Sequence, residues 1–247
     1  MQPSGRIRLH AGEVDTFSEE LVIGELLESS KEFRAFYQAE RERVVKPVYW
    51  AQDSSLPEGI DYRRTVLPTG EQVIRLRRLP AILEDAMKIA HELQHCVLDD
   101  EGFPTTGATP QFENISAALN SMVHDPLVNM RLQTYGFDLW DDYEKEVNED
   151  FRQLRAFLNP PSNHLGRMHW IFNYVGKMLD WELVCNQADK SNSEFQLWFD
   201  ARYPDIAEEA QKLLALARDI GYDTPEKQTA LFKEIIRRYD LGRYVLL

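Results

Sequence analysis

Two histidines flank a glutamate in the segment His91-Glu92-Leu93-Gln94-His95. On a helix, side chains four positions apart project from the same face about one turn from each other, so His91 and His95 can both reach one metal ion. Glu92 lies beside the first histidine, at the flank of that ion, where its carboxylate can accept a proton from water that the metal activates. These residue types at this spacing predict a catalytic zinc centre for hydrolysis, with Glu92 as the general base.

The residues around this motif favour a metal site over two histidines that merely share a helix face. Apolar residues recur at helical spacing through the segment: Ile82, Ala86, Ile89, Leu93 and Val97. Leu93, Gln94 and Cys96 leave the motif without neighbouring charges, whereas a solvent-facing helix surface usually carries lysine or glutamate there. The alternative interpretation is a pair of structural or exposed histidines without a ligand role.

Through His91, Glu92 and His95 the chain resembles the zincin metallopeptidases. In that superfamily a small β-sheet precedes the helix that carries HExxH, and the edge strand of the sheet binds an extended peptide substrate. The resemblance implies a mainly α fold with a small β-sheet or hairpin, which is an α+β, zincin-like architecture. It also implies a zinc-dependent metallopeptidase that acts on a peptide or protein substrate.

The segment 120–138 resembles the second signature of gluzincins of the CAAX-protease type. In that signature an aspartate is followed eleven positions on by a glycine and an aromatic-aspartate pair. Those positions are occupied here by Asp125, Gly136, Phe137 and Asp138. Asp125 and Asn129 also resemble a pattern in metallopeptidase domains that accompany von Willebrand-type domains. The chain departs from the gluzincins at Ser121, where they carry the metal-binding glutamate one turn before the aspartate.

A catalytic zinc site needs a third protein ligand, and serine is a poor one. His124 is close to Ser121 on the helix surface and has an imidazole suited to zinc. Asp125 could bind the metal directly, or could accept a hydrogen bond from a ligand histidine and fix its tautomer. Glu113 has the right chemistry but lies about 16 Å from His124 along the same helix, so the two cannot share one site. The sequence favours His124 as the third ligand, with Asp125 and then Glu113 as the alternatives.

The elements that must position these residues can be predicted from periodicity. Ser18 is the expected N-cap of an amphipathic helix that ends before Pro47. The segment 48–52 is a predicted strand, and 62–77 is a predicted hairpin, because Pro68 and Gly70 separate two alternating runs. Helical period then returns for the motif helix and for the helix opened by Thr109 and Pro110. Five more helices are predicted over 139–158, 163–186, 192–202, 204–220 and 225–239.

Composition limits the kinds of partner. The chain has 41 acidic and 28 basic residues among 247, a formal charge of −13, which disfavours nucleic acid and anionic membranes. No secretory signal or membrane-spanning run is recognisable, so a cytoplasmic protein without a membrane partner is expected. Residues 1–138 are predicted to form the metallopeptidase core, and 139–247 a helical part packed on that core.

Two other functions compete with a general peptidase. The first is a non-catalytic zincin-like module that binds a protein partner, which the serine at position 121 favours. The second is a regulatory protease that cuts one protein partner and no generic peptide. The sequence identifies neither the substrate nor the residue that would stabilise the oxyanion.

Overall fold

The computed structural model of this protein describes residues 2–9, 12–56, 61–157, 159–190 and 193–247. Over these residues the chain is mainly helical with one small mixed sheet, which confirms the predicted fold class of mainly α with a small β-sheet. The chain divides into two compact units. The first unit contains the described residues up to Glu101 together with Thr134–Phe137, and the second contains those of Gly102–Gln133 and Asp138–Leu247.

The first unit contains a five-stranded sheet. In chain order the strands are β1 (Gly5–Leu9), β2 (Gly12–Phe17), β3 (Val48–Gln52), β4 (Tyr62–Val66) and β5 (Gln72–Leu76). They lie in the order β1-β2-β3-β5-β4, so β4 is an edge strand. Strands β3 and β5 are parallel to each other, and the other neighbouring pairs are antiparallel.

The predicted hairpin over 62–77 is confirmed by β4 and β5, in which Arg64 lies opposite Ile74. Gly70 in the connecting turn has φ +87°, a conformation that costs glycine little because it has no Cβ atom. Strands β1 and β2 form another antiparallel pair, which the sequence analysis missed. Both strands are short and largely polar, so their alternation is a weak signal.

Three helices complete the first unit: α1 (Glu19–Ser29), α2 (Lys31–Glu40) and α3 (Ala86–Asp100). The single helix predicted from Ser18 is divided at Ser30, whose backbone is extended (φ −107°, ψ 118°). Ser18 accepts a hydrogen bond from the N–H of Leu21, and Ser30 accepts one from the N–H of Phe33. Each serine thus caps the start of one helix, which explains how the chain can stop and restart at position 30.

The core of the first unit lies between the sheet and these helices. Its large, fully buried side chains include Trp50, Ile74 and Leu76 from the strands and Ile23, Leu26, Phe33, Phe36 and Ile89 from the helices. Burial of each such side chain stabilises the fold by about 1.5–3 kcal/mol. The segment Thr134–Phe137 joins this core, since the ring of Tyr135 packs edge-on against that of Phe36 at 5.5 Å.

The second unit is built from helices. These are α4 (Glu113–Gln133), α5 (Trp140–Leu154), α6 (His164–Val184), α7 (Glu194–Arg202), α8 (Pro204–Ile220) and α9 (Pro225–Arg238). Helix α6 packs against both α4 and α8. The two helices are in contact near Gly176, where a Cβ atom would make an ordinary van der Waals contact of 3.6 Å with the Cα atom of Met122.

The contacts group α4 differently from the sequence prediction. The sequence placed this helix in a core of residues 1–138, whereas its contacts place Glu113–Gln133 in the unit that also contains the C-terminal helices. The assignment of residues 1–138 as a metallopeptidase core stays a prediction. Among the helices of the described residues, none is long and apolar enough to cross a membrane.

Candidate metal centre

The motif helix α3 has one polar face. His91, Glu92, His95 and Asp99 are half-buried, whereas Leu93 and the other residues between them are buried. The buried side of the helix packs into the core of the first unit, because Ile89 and Leu93 fall on it. The polar side chains are therefore held on a helix whose orientation the apolar contacts fix.

The two motif histidines converge on one point. Their Nε2 atoms lie 3.1 Å apart, and the ring planes meet at 73°. Tetrahedral zinc with Zn–N bonds of 2.0–2.1 Å separates two imidazole nitrogens by about 3.3 Å, so this pair fits a common ion. The same distance also fits an N–H···N hydrogen bond between neutral rings, which a bound ion would replace.

His91, His95 and Asp125 form a group that could hold a metal ion. Each of the three residues offers one ligand atom. All three residues are half-buried. Two imidazoles and one carboxylate are donors that zinc accepts in catalytic sites, so the chemistry of the group fits the predicted ion.

His124 lies outside this group. Its side chain is buried, with 2% exposed, and its Nε2 atom lies 2.9 Å from the carbonyl oxygen of Pro104. Its ring packs edge-on against Phe232 at 5.9 Å. The imidazole thus connects helix α4 to the loop that precedes it, although its role as a third ligand has not been tested.

Helix α4 holds the same loop at two further points, each one turn apart. Asn120 accepts a hydrogen bond from the N–H of Thr106 (2.9 Å) and donates one to its carbonyl (2.9 Å). Ser116 also donates to the Thr106 carbonyl, at 2.9 Å. Ser116 and Asn120 therefore satisfy buried backbone groups of the loop. This role explains the small polar residues at these two positions of α4 independently of any metal.

The predicted general base, Glu92, touches the edge strand of the sheet. Its Oε2 atom accepts a hydrogen bond from the N–H of Arg64 in β4, at 3.1 Å. A hydrogen bond from a backbone N–H fixes the direction of a carboxylate. Glu92 is thus oriented by the strand as well as by its own helix.

The other two candidate positions on α4 are exposed. Glu113 is exposed at the first position of the helix, and Ser121 is exposed one turn before Asp125. Two hydroxyls that could have bound an oxyanion have partners: Tyr135 donates to Glu40, and Tyr174 donates to Asp200. The oxyanion-stabilising residue stays unassigned.

Asp125 has a second carboxylate in its electrostatic surroundings. Burial raises the pKa of Asp180 to about 6, whereas the ammonium of Lys177 and the amide of Asn129 act to lower it. The negative charge of Asp125 raises it further. Asn129 donates a hydrogen bond to Asp180 at 2.8 Å and lies one turn beyond Asp125 on α4, so the amide connects Asp180 to the helix that carries Asp125.

We expect Asp180 to lower the stability of the protein as the pH rises from about 4 to about 6. Its folded pKa of about 6 exceeds the ordinary value of 3.8, so the folded protein binds this proton more tightly than the unfolded chain. The resulting stabilisation is complete below about pH 4 and is lost as the pH passes 6, a change of about 1–3 kcal/mol.

Urea unfolding of the metal-free protein at pH 4, 5, 6 and 7 measures this effect. Asp180→Asn cannot titrate and should lose this part of the pH dependence, whereas Glu144→Gln, at an exposed position of α5, should keep it. Equal pH dependence in wild type and Asp180→Asn would contradict the assignment.

Two residues of this region were missed by sequence reasoning: Arg64 and Asp99. Asp99 stands one turn after His95 and two turns after His91, so its position on the polar face of the motif helix was an available signal. For Arg64 the only signal was its place in an alternating strand. Its neighbour Arg63 has the same type, and nothing in the sequence distinguishes the two.

Comparisons of this chain with known protein families, with curated proteins and with solved structures give no match.

Proposed function

We propose that this protein is a zinc-dependent metallopeptidase with a zincin-like core. The observation that carries the proposal is the convergence of the His91 and His95 Nε2 atoms, which lie 3.1 Å apart on one helix. Glu92, next to His91 in the chain, supplies the carboxylate that hydrolysis requires.

In this proposal each residue has one role. His91, His95 and Asp125 hold the ion. A zinc ion held there would supply Lewis-acid chemistry and would lower the pKa of water towards neutrality. Glu92 accepts a proton from the attacking water and then donates it to the leaving amine of the cleaved peptide. The N–H of Arg64 keeps the Glu92 carboxylate in place for both transfers.

The edge strand β4 supports a peptide as the substrate. It lies at the border of the sheet, and it contacts the motif helix through Arg64 and Glu92. An edge strand can bind an extended peptide through main-chain hydrogen bonds, as the resemblance to zincins implies. We propose that the substrate chain lies along β4.

The donor set allows one competing metal. Two histidines and one carboxylate with open positions also bind iron(II) in oxygen-dependent enzymes that contain no haem. The glutamate beside the first histidine favours hydrolysis, because a general base is what peptide cleavage needs. Element analysis for zinc, iron and manganese therefore belongs to the first experiment.

Metal content and hydrolysis of the purified protein test the proposal together. Wild type should contain about one zinc ion per chain and should cleave a mixed peptide library; a chelator should abolish this activity and added zinc should restore it. His91→Ala and His95→Ala should lose both properties. His164→Ala should keep both, because its Nε2 atom contacts the carbonyl of Tyr239. Wild type without stoichiometric metal would overturn the proposal.

A non-catalytic metal-binding module is the second candidate function. It is favoured by Ser121, which takes the position where the resembled gluzincins carry a metal-binding glutamate. Such a module would contain zinc in wild type and show no hydrolysis of any peptide or protein substrate, with or without Glu92. A protease specific for one partner would behave in the same way towards peptides but would cut that partner.

A further inference from the structure

The N–H of Arg64 points away from the sheet. The N–H of Leu67 donates to the Glu71 carbonyl (2.8 Å), and that of Arg77 donates to the Asp61 carbonyl (2.9 Å). The backbone N–H groups of odd-numbered residues in this hairpin therefore point to the opposite strand. Because this direction alternates along an antiparallel strand, the N–H of Arg64 points to the outer edge of the sheet. At this edge it donates to Glu92 rather than to another strand.

The side chain of Arg64 is held in a closed network. The guanidinium forms an ion pair with Asp99 on α3, and its Nη1 atom donates to Gln72 Oε1 at 3.1 Å. Gln72 in turn donates to Asp99 at 3.0 Å. The exposed fractions of the Arg64 and Asp99 side chains are 14% and 13%, and Gln72 is fully buried. Such a network keeps its geometry because each buried polar group has a partner.

A second contact ties the same strand to the start of the motif helix. The hydroxyl of Tyr62 donates to Asp85, which directly precedes α3 and also accepts a hydrogen bond from the N–H of Ile82 at 2.9 Å. Tyr62 and Arg64 are two positions apart in β4, so their side chains lie on the same face. The strand is thus attached to the region of α3 on both sides of the HELQH motif.

We propose that Arg64 is the positioning residue of the general base: its side chain locks β4 to α3 through Asp99 and Gln72, and its backbone N–H orients the carboxylate of Glu92. The inference rests on the proposed function, since only a hydrolase needs Glu92 as a base. Positioning of a reacting group to within about 1 Å can change a rate by about 100-fold. In this role the side chain of Arg64, which is held by Asp99 and Gln72, contacts neither the substrate nor the metal.

Amide hydrogen exchange of the metal-free protein tests the hydrogen bond. Although it lies on an outer edge, the Arg64 amide should be protected in wild type and should exchange about tenfold faster in Glu92→Ala, which has no acceptor. The amide of Ile74 on the neighbouring strand is the internal control and should be unchanged. An Arg64 amide that exchanges equally fast in both proteins would overturn the proposal.

Steady-state kinetics of the zinc-loaded protein test the positioning. Arg64→Met should lower kcat about 100-fold with KM within about twofold and zinc content unchanged. Arg64→Lys keeps the positive charge beside Asp99 and should recover part of kcat. Arg8→Met is the matched control, because it removes a guanidinium at an exposed position of β1, the strand at the opposite edge of the sheet, and it should retain kcat.

The outcomes separate this inference from the proposed function. Unchanged kcat in Arg64→Met and Arg64→Lys would reject the positioning role and leave the peptidase proposal intact. Loss of zinc from both variants would also reject it, because the residue would then support the fold of the site as a whole. A wild type that binds zinc and cleaves no substrate, with a protected Arg64 amide, would reject the peptidase proposal while the contact with Glu92 stands.

Discussion

Replacement of Glu92 by glutamine should lower the rate of peptide hydrolysis by about 100- to 10,000-fold while zinc stays bound. General acid-base catalysis contributes a factor of this size, and a neutral amide cannot accept the proton. Glutamine can still accept the hydrogen bond from the N–H of Arg64, so the side chain should keep its position. The measurements are kcat/KM with a cleaved library peptide and the zinc content of the same sample.

Glu84→Gln is the matched control for this variant. Glu84 is exposed in the short turn that precedes α3, and the same chemical change there should alter neither the rate nor the zinc content. A Glu92→Gln protein as active as wild type would exclude Glu92 as the base. Loss of zinc from Glu92→Gln would instead indicate that the carboxylate helps to hold the ion.

Asp125→Ala should weaken zinc binding by about 100-fold or more, whereas His124→Ala should retain zinc. Asp125 is the proposed third ligand, and a site reduced from three protein ligands to two loses much of its affinity. His124 is buried against Phe232 with Nε2 at the Pro104 carbonyl, so its removal should lower the free energy of unfolding by about 1–3 kcal/mol. Competition with a chromogenic chelator gives the affinity, and urea unfolding gives the stability.

Ser121→Ala is the control on the same helix, one turn before Asp125. Because Ser121 is exposed, this change should alter neither the zinc affinity nor the free energy of unfolding by much. The reverse pattern, with zinc lost from His124→Ala and kept by Asp125→Ala, would make the histidine the third ligand. If both variants lose zinc affinity, the residue whose replacement causes the larger loss is the ligand, and the other residue has a supporting role.

The local elements of the first unit could be predicted because their signals are local. The alternation on either side of Pro68 and Gly70 is enough to specify the hairpin of β4 and β5. The apolar period around His91 and His95 specifies a helix, and helix geometry alone places their rings on one face. The break at Ser30 was missed, because a serine is as compatible with a continuing helix as with a cap.

The sequence by itself determined the helix that carries His91, Glu92 and His95, since one turn of a helix sets that spacing without help from the rest of the chain. It favoured His124 as the third ligand, because an imidazole suits zinc, and kept the adjacent Asp125 as the alternative. Tertiary structure decided the environment of His124, by giving its imidazole a carbonyl partner in the loop that precedes α4 and by packing its ring against Phe232 of α9. The contact between Arg64 and Glu92 also depends on tertiary structure, because the packing of a strand against a helix joins residues 28 positions apart.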